Sequence, residues 1–274
     1  MTRAMTLAPQ HLVAPLFVPG DRPERFLKAA AAGAQSIILD LEDAVAADDK
    51  AQARRCVAQH GIDAVPVIVR MNAAGTPWFD DDLAMLREAR IAGVMIPKAA
   101  DPKVVEAVAA RSGVGAIIPL VESAAGLGNL AALLSARQII VAAFGSIDLA
   151  VDLGCDEAWE PLLAARSELV LRSKLAGIAA PIDGVTVATD DAPRVTQEAK
   201  RARSMGFRGK LAIHPKQLAP IRAAFRATEA ERAWAARVLA AIDGDPRGAL
   251  TVDGCLVDRP VIERARRIAE EVEP

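Results

Sequence analysis

Two carboxylates, Glu122 and Asp148, each stand at the end of a short apolar run, which is where a hard divalent cation would need them. Glu122 follows Ile117-Ile118-Pro119-Leu120-Val121, and Asp148 closes Phe144-Gly145-Ser146-Ile147-Asp148. If both runs are strands of one sheet, their ends bring two acidic side chains to one place. Substrate and water oxygens would then complete an octahedron. Magnesium suits such a site, because it retains waters and accepts only one or two protein carboxylates. The competing roles are a helix N-cap for Asp148 and a surface ion pair for Glu122.

A second acidic group, Asp40, Glu42 and Asp43, follows the run Ser36–Leu39. Acids packed this closely repel one another unless a cation or hydrogen-bond donors lie nearby. They can hold metal-bound waters from behind, although Asp43 equally suits the start of a helix. Arg70 ends the run Val65–Val69. A guanidinium there can grip a carboxylate through two parallel hydrogen bonds, or pair with the neighbouring acids. Pro19-Gly20-Asp21-Arg22-Pro23 reads as a tight turn whose helix-start amides could meet an anion. His214 suits a base or a strand-end histidine held by the backbone. Lys98 after Pro97 suits a Schiff base less well than an ordinary electrostatic role, since nothing adjacent depresses its pKa. No catalytic Ser/His/Asp spacing, P-loop or GxGxxG follows a strand in the required context.

Elements that would position these residues are visible as an alternation. Strands are expected at Pro15–Val18, Ser36–Asp40, Pro66–Arg70, Gly93–Ile96, Ala116–Val121, Gln138–Ala143, Ile182–Val187 and Lys210–Ile213. Amphipathic segments lie between them, at Arg22–Ala32, Asp48–Gln59, Trp78–Ala89, Pro102–Ala109, Ala124–Leu134, Pro161–Ala176, Ala192–Met205 and Pro215–Ala223. This is an α/β pattern with the strand count of a TIM (β/α)8 barrel, and a doubly wound open sheet shows similar alternation. The barrel is favoured because Asp40, Arg70, Lys98, Glu122, Asp148 and His214 all fall at or just past strand C-termini, where barrel enzymes carry their chemistry. A break at Ile242–Gly248 divides a barrel domain, residues 1–242, from a C-terminal helical or lid extension, residues 243–274. Within that extension, Val252–Val257 precedes a helix beginning near Arg259.

The chain has 274 residues, 52% of them apolar and 3% aromatic, so a large core is available and disorder is not expected. A net charge of −2 excludes the electrostatic footprint of a nucleic-acid partner. Arg259, Arg264, Arg266 and Arg267 form a solvated helix face or a contact for a phosphorylated ligand. Cys56, Cys155 and Cys255 are odd in number and far apart, which argues against disulfides and structural zinc. No apolar run reaches the ~20 residues of a membrane span, and the stretch through Gln10 reads as a loose extension rather than a secretion signal. A cytoplasmic location is the expectation.

With these residues in place, the chain resembles the citrate lyase β-subunit-like enzymes of the phosphoenolpyruvate/pyruvate-utilising TIM-barrel superfamily. The resemblance is carried in order by Leu16-Phe17-Val18-Pro19-Gly20-Asp21, Leu39-Asp40-Leu41-Glu42-Asp43-Ala44-Val45, Val69-Arg70-Met71-Asn72 and Ile96-Pro97-Lys98. It continues through Pro119-Leu120-Val121-Glu122-Ser123, Phe144-Gly145-Ser146-Ile147-Asp148-Leu149, Ala180-Pro181-Ile182-Asp183-Gly184 and Ile213-His214-Pro215-Lys216-Gln217. The last blocks are Val252-Asp253-Gly254 and Val257-Asp258-Arg259-Pro260.

The resemblance implies Mg2+ held by Glu122 and Asp148. Arg70 and Glu122 would face substrate, Arg70 binding the keto-acid carboxylate, with Asp40, Glu42 and Asp43 behind the metal waters. It implies that Asp258 comes from a neighbouring subunit of a homotrimer, or a multiple of one, and exchanges a proton with an acetyl methyl group. The implied activity is carbon–carbon cleavage of a 3-hydroxyacyl-CoA, of citramalyl-CoA or malyl-CoA type, to acetyl-CoA and a 2-keto acid. Thioester hydrolysis, or a role as the β subunit of a citryl-acyl-carrier lyase complex, is the alternative. One departure is Val13-Ala14, where the family carries Arg-Ser; the expectation is that an anion contact is missing or is supplied from elsewhere.

Overall fold

A computed structural model describes residues 5–244 and 250–270. The chain divides into two compact units, one ending at Phe225 and the other beginning at Arg226.

The first unit is a closed barrel. Its eight parallel strands are β1 (Leu16–Pro19), β2 (Ile37–Asp40), β3 (Val67–Arg70), β4 (Gly93–Ile96), β5 (Ile117–Val121), β6 (Ala143–Phe144), β7 (Ile182–Asp183) and β8 (Gly209–Lys210). Each pairs with the next in sequence order. Closure comes from a parallel bridge between Leu16 and Ala212: the Phe17 amide donates to the Ala212 carbonyl at 2.8 Å, and the Ala212 amide to the Pro15 carbonyl at 2.9 Å. The eightfold barrel is therefore the fold, and the open-sheet alternative is excluded.

Helices on the outside are α1 (Pro23–Ala31), α2 (Lys50–Ala58), α3 (Phe79–Leu86), α4 (Pro102–Ser112), α5 (Ala124–Gly128), α6 (Leu130–Leu133), α7 (Ser146–Leu153), α8 (Leu163–Leu175), α9 (Ala192–Met205) and α10 (Leu218–Phe225). None of the described helices is long and apolar enough to cross a membrane.

The strand pleat sorts the apolar residues into two layers. Ile37 and Leu39, Val67 and Val69, and Val94 and Ile96 pack outward in the cluster shared with the helices. Ile38, Ile68, Met95, Ile118 and Leu120 belong to a separate cluster that fills the barrel. Because side chains alternate along a strand, the interior series continues from Ile38 to Asp40, from Ile68 to Arg70 and from Leu120 to Glu122. The barrel core thus ends in charged groups at the C-terminal mouth.

Two expectations are corrected in the second half of the barrel. The run to Asp148 is not a strand: β6 stops at Phe144, and α7 begins at Ser146, so Asp148 lies in a first helical turn. Leu149 and Ala150 are buried on the inner face of α7, while Asp148 sits near the positive end of the helix dipole. Strands expected over Ile182–Val187 and Lys210–Ile213 shorten to two residues each.

The second unit contains α11 (Glu229–Gly244), the antiparallel pair β9 (Leu250–Val252) and β10 (Cys255–Val257), and α12 (Arg259–Ala269). Helix α11 was not among the expected segments. Ala235 and Val238 of α11 pack with Val257, Ala265 and Ile268. That shared apolar cluster places the unit boundary at 225/226, ahead of the expected 242/243. The break expected around Asp245-Pro246 lies outside the described residues.

Candidate functional site

The mouth of the barrel is organised by an ion network running from the loop after β2 to the end of β5. Asp40, almost fully buried, accepts hydrogen bonds from Arg70 Nε and Nη2, both at 2.7 Å. It also accepts from the amides of Glu42 and Ala44, at 2.9 and 3.2 Å. These four donors show why an aspartate is tolerated there. Arg70 Nη1 lies 3.0 Å from Glu42 Oε2 and 3.7 Å from Asp43 Oδ2, and its guanidinium stacks on Phe17. The Glu42 pair is an ion contact without hydrogen-bond alignment, so Oε2 stays buried with no aligned donor. The other oxygen, Oε1, accepts from Lys98 Nζ at 2.8 Å.

Beneath this loop the ammonium of buried Lys50 donates to the carbonyls of Leu41 and Glu42, at 2.7 and 2.6 Å, and faces the Trp78 ring. Burial lowers its pKa. Sequence reasoning missed Lys50; a lone lysine ten residues after a strand carries no signal of a buried partner.

Glu122 is buried, and its Oε1 accepts the Lys98 amide at 2.7 Å. Its Oε2 lies against Gly145, where a Cβ would stand 2.5 Å from both Oε2 and Cβ of Glu122. Burial, then repulsion from Glu42 and from Asp148, pushes the Glu122 pKa up to about 8, with the Lys98 hydrogen bond and Arg70 opposing. A buried, repelling acid cluster of this kind is relieved by a cation. Burial also raises Glu42, against the opposing pull of Arg70 and Lys98.

A cavity of about 410 Å³ opens at this end. Asp40, Asp43, Arg70, Glu122 and Asp148 line it together with Phe17. The two carboxylates expected to meet therefore face one space. Asp40 and Glu42 are tied directly to Arg70, so the pairing role left open for that arginine is realised. N–H groups on its terminal nitrogens remain to meet a carboxylate.

Other candidates separate from this cavity. His214 Nδ1 accepts the Lys216 amide at 3.2 Å and caps a short 3-10 turn, which gives it a structural role. Lys98 forms an ion pair with Glu42 that raises its pKa, after burial has opposed it, which disfavours Schiff-base chemistry. Val13 and Ala14 precede β1, at the end opposite the acids; Ala14 is core, the Val13 carbonyl accepts the Lys210 amide, and neither lines the cavity. Asp258 caps α12 in the second unit, its Oδ1 accepting the Val261 amide at 3.2 Å, and is exposed.

Among the described residues no group of three or more His, Cys, Asp or Glu could form an all-protein metal cage. The chemistry available is thus two carboxylates with room for exogenous oxygens, a fixed guanidinium, and a sheltered apolar wall.

Comparisons with known proteins agree with this construction. The model of the HpcH/HpaI aldolase/citrate lyase family matches residues 14–215. A citrate lyase subunit beta-like protein of Deinococcus radiodurans is 35% identical, over 96% of this chain and 98% of its own. Two Cereibacter sphaeroides proteins, a (3S)-malyl-CoA thioesterase and an L-malyl-CoA/beta-methylmalyl-CoA lyase, are each 34% identical over 94% of this chain and 93% of theirs. The crystal structure of CitE from Mycobacterium tuberculosis with magnesium, acetoacetate and coenzyme A superposes with a TM-score of 0.88. It is 35% identical and covers 96% of this chain and 98% of that one. On the extent of these matches, the chain belongs to the HpcH/HpaI aldolase/citrate lyase family of carbon–carbon lyases.

Proposed function

We propose that the protein is a magnesium-dependent lyase that cleaves a 3-hydroxyacyl-CoA of citramalyl-CoA or malyl-CoA type to acetyl-CoA and a 2-keto acid. The observation that carries this reading is the cavity in which Glu122 and Asp148 face Arg70. The residues fit Mg2+: Glu122 and Asp148 are two carboxylates that repel one another and line one cavity with room for further oxygens. When bound, the ion would polarise the hydroxyl and carboxylate oxygens of the substrate. Arg70 grips the keto-acid carboxylate and, held by Asp40 and Glu42, fixes its orientation. As the carbon–carbon bond breaks, the substrate hydroxyl gives its proton to water and its oxygen becomes the keto carbonyl. The electron pair of the broken bond passes to the carbon next to the thioester, which Asp258 of a neighbouring subunit protonates to the acetyl methyl group. In this reading the C-terminal unit acts as an intersubunit lid of a homotrimer or a multiple of one, in the cytoplasm.

Incubation with a panel of 3-hydroxyacyl-CoAs, with Mg2+ or with EDTA, tests the reaction. Metal-dependent release of a 2-keto acid from one member is expected; cleavage of none would overturn the proposal. Thioester hydrolysis is the second reading, favoured by similarity to a malyl-CoA thioesterase as close as that to a malyl-CoA lyase. Free CoA with an intact hydroxy diacid would identify it.

Asp258→Asn is expected to lower kcat by roughly a hundredfold while keto-acid affinity is unchanged. Asparagine caps helices as well as aspartate does, so α12 is preserved. Equal loss of binding and turnover would make the residue structural.

The raised Glu122 pKa predicts a pH dependence with a definite sign. Below about 8 the carboxyl keeps its proton, which an incoming cation must displace. Apparent Mg2+ affinity should rise about tenfold per pH unit between pH 6 and 8, then level off. The metal-free protein should lose stability over the same rise, because the folded state holds a proton that the unfolded chain has released. Calorimetric titration at four pH values checks the first; a flat profile would place Glu122 away from the metal.

A further inference from the structure

We propose that Lys98 is a positioning residue that aims the Glu122 carboxylate through its main chain. This rests on the reading of Glu122 as a magnesium ligand and adds a residue to it. Among the described residues only Lys98 and Asp253 are non-glycine residues with positive φ, at +48° and +53°. Asp253 sits with Gly254 in the turn joining β9 to β10, where such a conformation is ordinary. Lys98 has no such reason. It is a long side chain, it follows β4 at the barrel mouth, and left-handed backbone is costly for it. Residues held in sparsely populated backbone regions persist where the surroundings over-determine them, and they cluster at functional sites.

The surroundings here do over-determine it. The amide of the next residue, Ala99, donates to the Leu120 carbonyl at 3.2 Å. The Ala99 carbonyl lies 2.5 Å from where a Cβ of Gly126 would stand, so α5 packs directly on this turn. Asn129 Nδ2 donates to the Ala100 carbonyl at 3.1 Å. Held this way, Lys98 sends its amide to Glu122 Oε1 at 2.7 Å, on the β5 side. Its ammonium reaches in the other direction, 2.8 Å from Glu42 Oε1 in the loop after β2.

One residue therefore ties the loops after β2 and β4 to the end of β5. With Oε1 engaged, Oε2 is left beside Gly145, at the start of the turn leading to Asp148. The ion pair to Glu42 offsets the cost of the left-handed turn, which accounts for a lysine where glycine would fit more easily.

A series without the ammonium separates the main-chain role from the charge. Lys98→Gly, Lys98→Asn, Lys98→Ala and Lys98→Ile all lose the same charge, but they differ in tolerance of positive φ, in that order. Mg2+ is titrated calorimetrically into each metal-free protein, with circular dichroism to verify the fold. Gly and Asn variants are expected to bind with dissociation constants within about threefold of each other. The Ala variant should be at least threefold weaker than Gly, and the Ile variant at least tenfold weaker. If Lys98→Ile does not fold, the Ala-to-Gly contrast decides. Equal affinity across the folded series, or a Gly variant as weak as Ile, overturns the inference. Wild type and Glu122→Gln are the controls. A wild type that binds no Mg2+, or a Glu122→Gln that binds as tightly, defeats the metal reading itself. A flat Lys98 series with both controls behaving defeats only the role of Lys98.

Discussion

Gly145→Ala is expected to lower kcat/KM by about a thousandfold or more while leaving a folded barrel. The added methyl would stand 2.5 Å from both Cβ and Oε2 of Glu122, closer than carbon and oxygen atoms can approach. Glu122 cannot retreat easily: its Oε1 is held by the Lys98 amide, and it is buried at the end of β5. Nor can Gly145 move freely, because its own amide donates to the Val121 carbonyl at 3.0 Å. The strain of one extra methyl in packed surroundings costs about 1–3 kcal/mol, which the fold survives. In the proposed role of Glu122 as a magnesium ligand, displacing its carboxylate loses several kcal/mol of transition-state stabilisation, hence the expected factor of about a thousand. Kinetics, Mg2+ titration and thermal melting on the same preparation check this. Activity within about tenfold of wild type would show that Glu122 does not need its present position.

Arg70→Met should act on stability and catalysis together. The arginine is the shared partner of Asp40 and Glu42, both nearly inaccessible to solvent. Removing one member of a buried charged network leaves uncompensated charge and costs about 3–5 kcal/mol. In a domain of this size that lowers the melting temperature by on the order of 10 °C. Turnover should fall by at least about a thousandfold, since the oriented carboxylate contact is lost as well. The double variant Arg70→Met/Asp40→Asn separates the two effects. Removing the orphaned charge should restore part of the melting temperature and none of the activity. Arg70→Lys keeps a charge but not the planar fork, so it should recover stability better than rate. A stable, fully active Arg70→Met would leave substrate orientation to some other group.

How far the amino-acid order alone reached differs between the two halves of the barrel. In β1 to β5 each strand is a mainly apolar run, with Asp40 and Arg70 closing β2 and β3 and Glu122 just past β5, and the expected bounds agree to within a residue. Period-two alternation between helix-facing and barrel-filling side chains follows from the pleat, so the inward orientation of Asp40, Arg70 and Glu122 is already implied there. The strands β6 to β8 are shorter than the expected runs, because outside them the pairing continues only as isolated bridges, at Ile139 and Ala212. Asp148, expected just past a strand end, lies instead in the first turn of α7, which has Gly145 as its N-cap. Helix α11 escaped because its alanine-rich sequence has only a weak apolar stripe, completed by α12.

What the sequence by itself determined is the eightfold alternation and the charged residues that terminate its strands, since both depend on local periodicity and composition. Only the tertiary structure decided which charges are partners. Arg70 meets Asp40 and Glu42, Lys98 joins Glu42 to Glu122, and Gly145 is the empty space against which Glu122 rests. Those pairings depend on barrel curvature, on a left-handed turn at Lys98, and on atoms excluded by close packing. Through-space quantities of this kind are set when distant segments close on one another, and no local window of residues contains them.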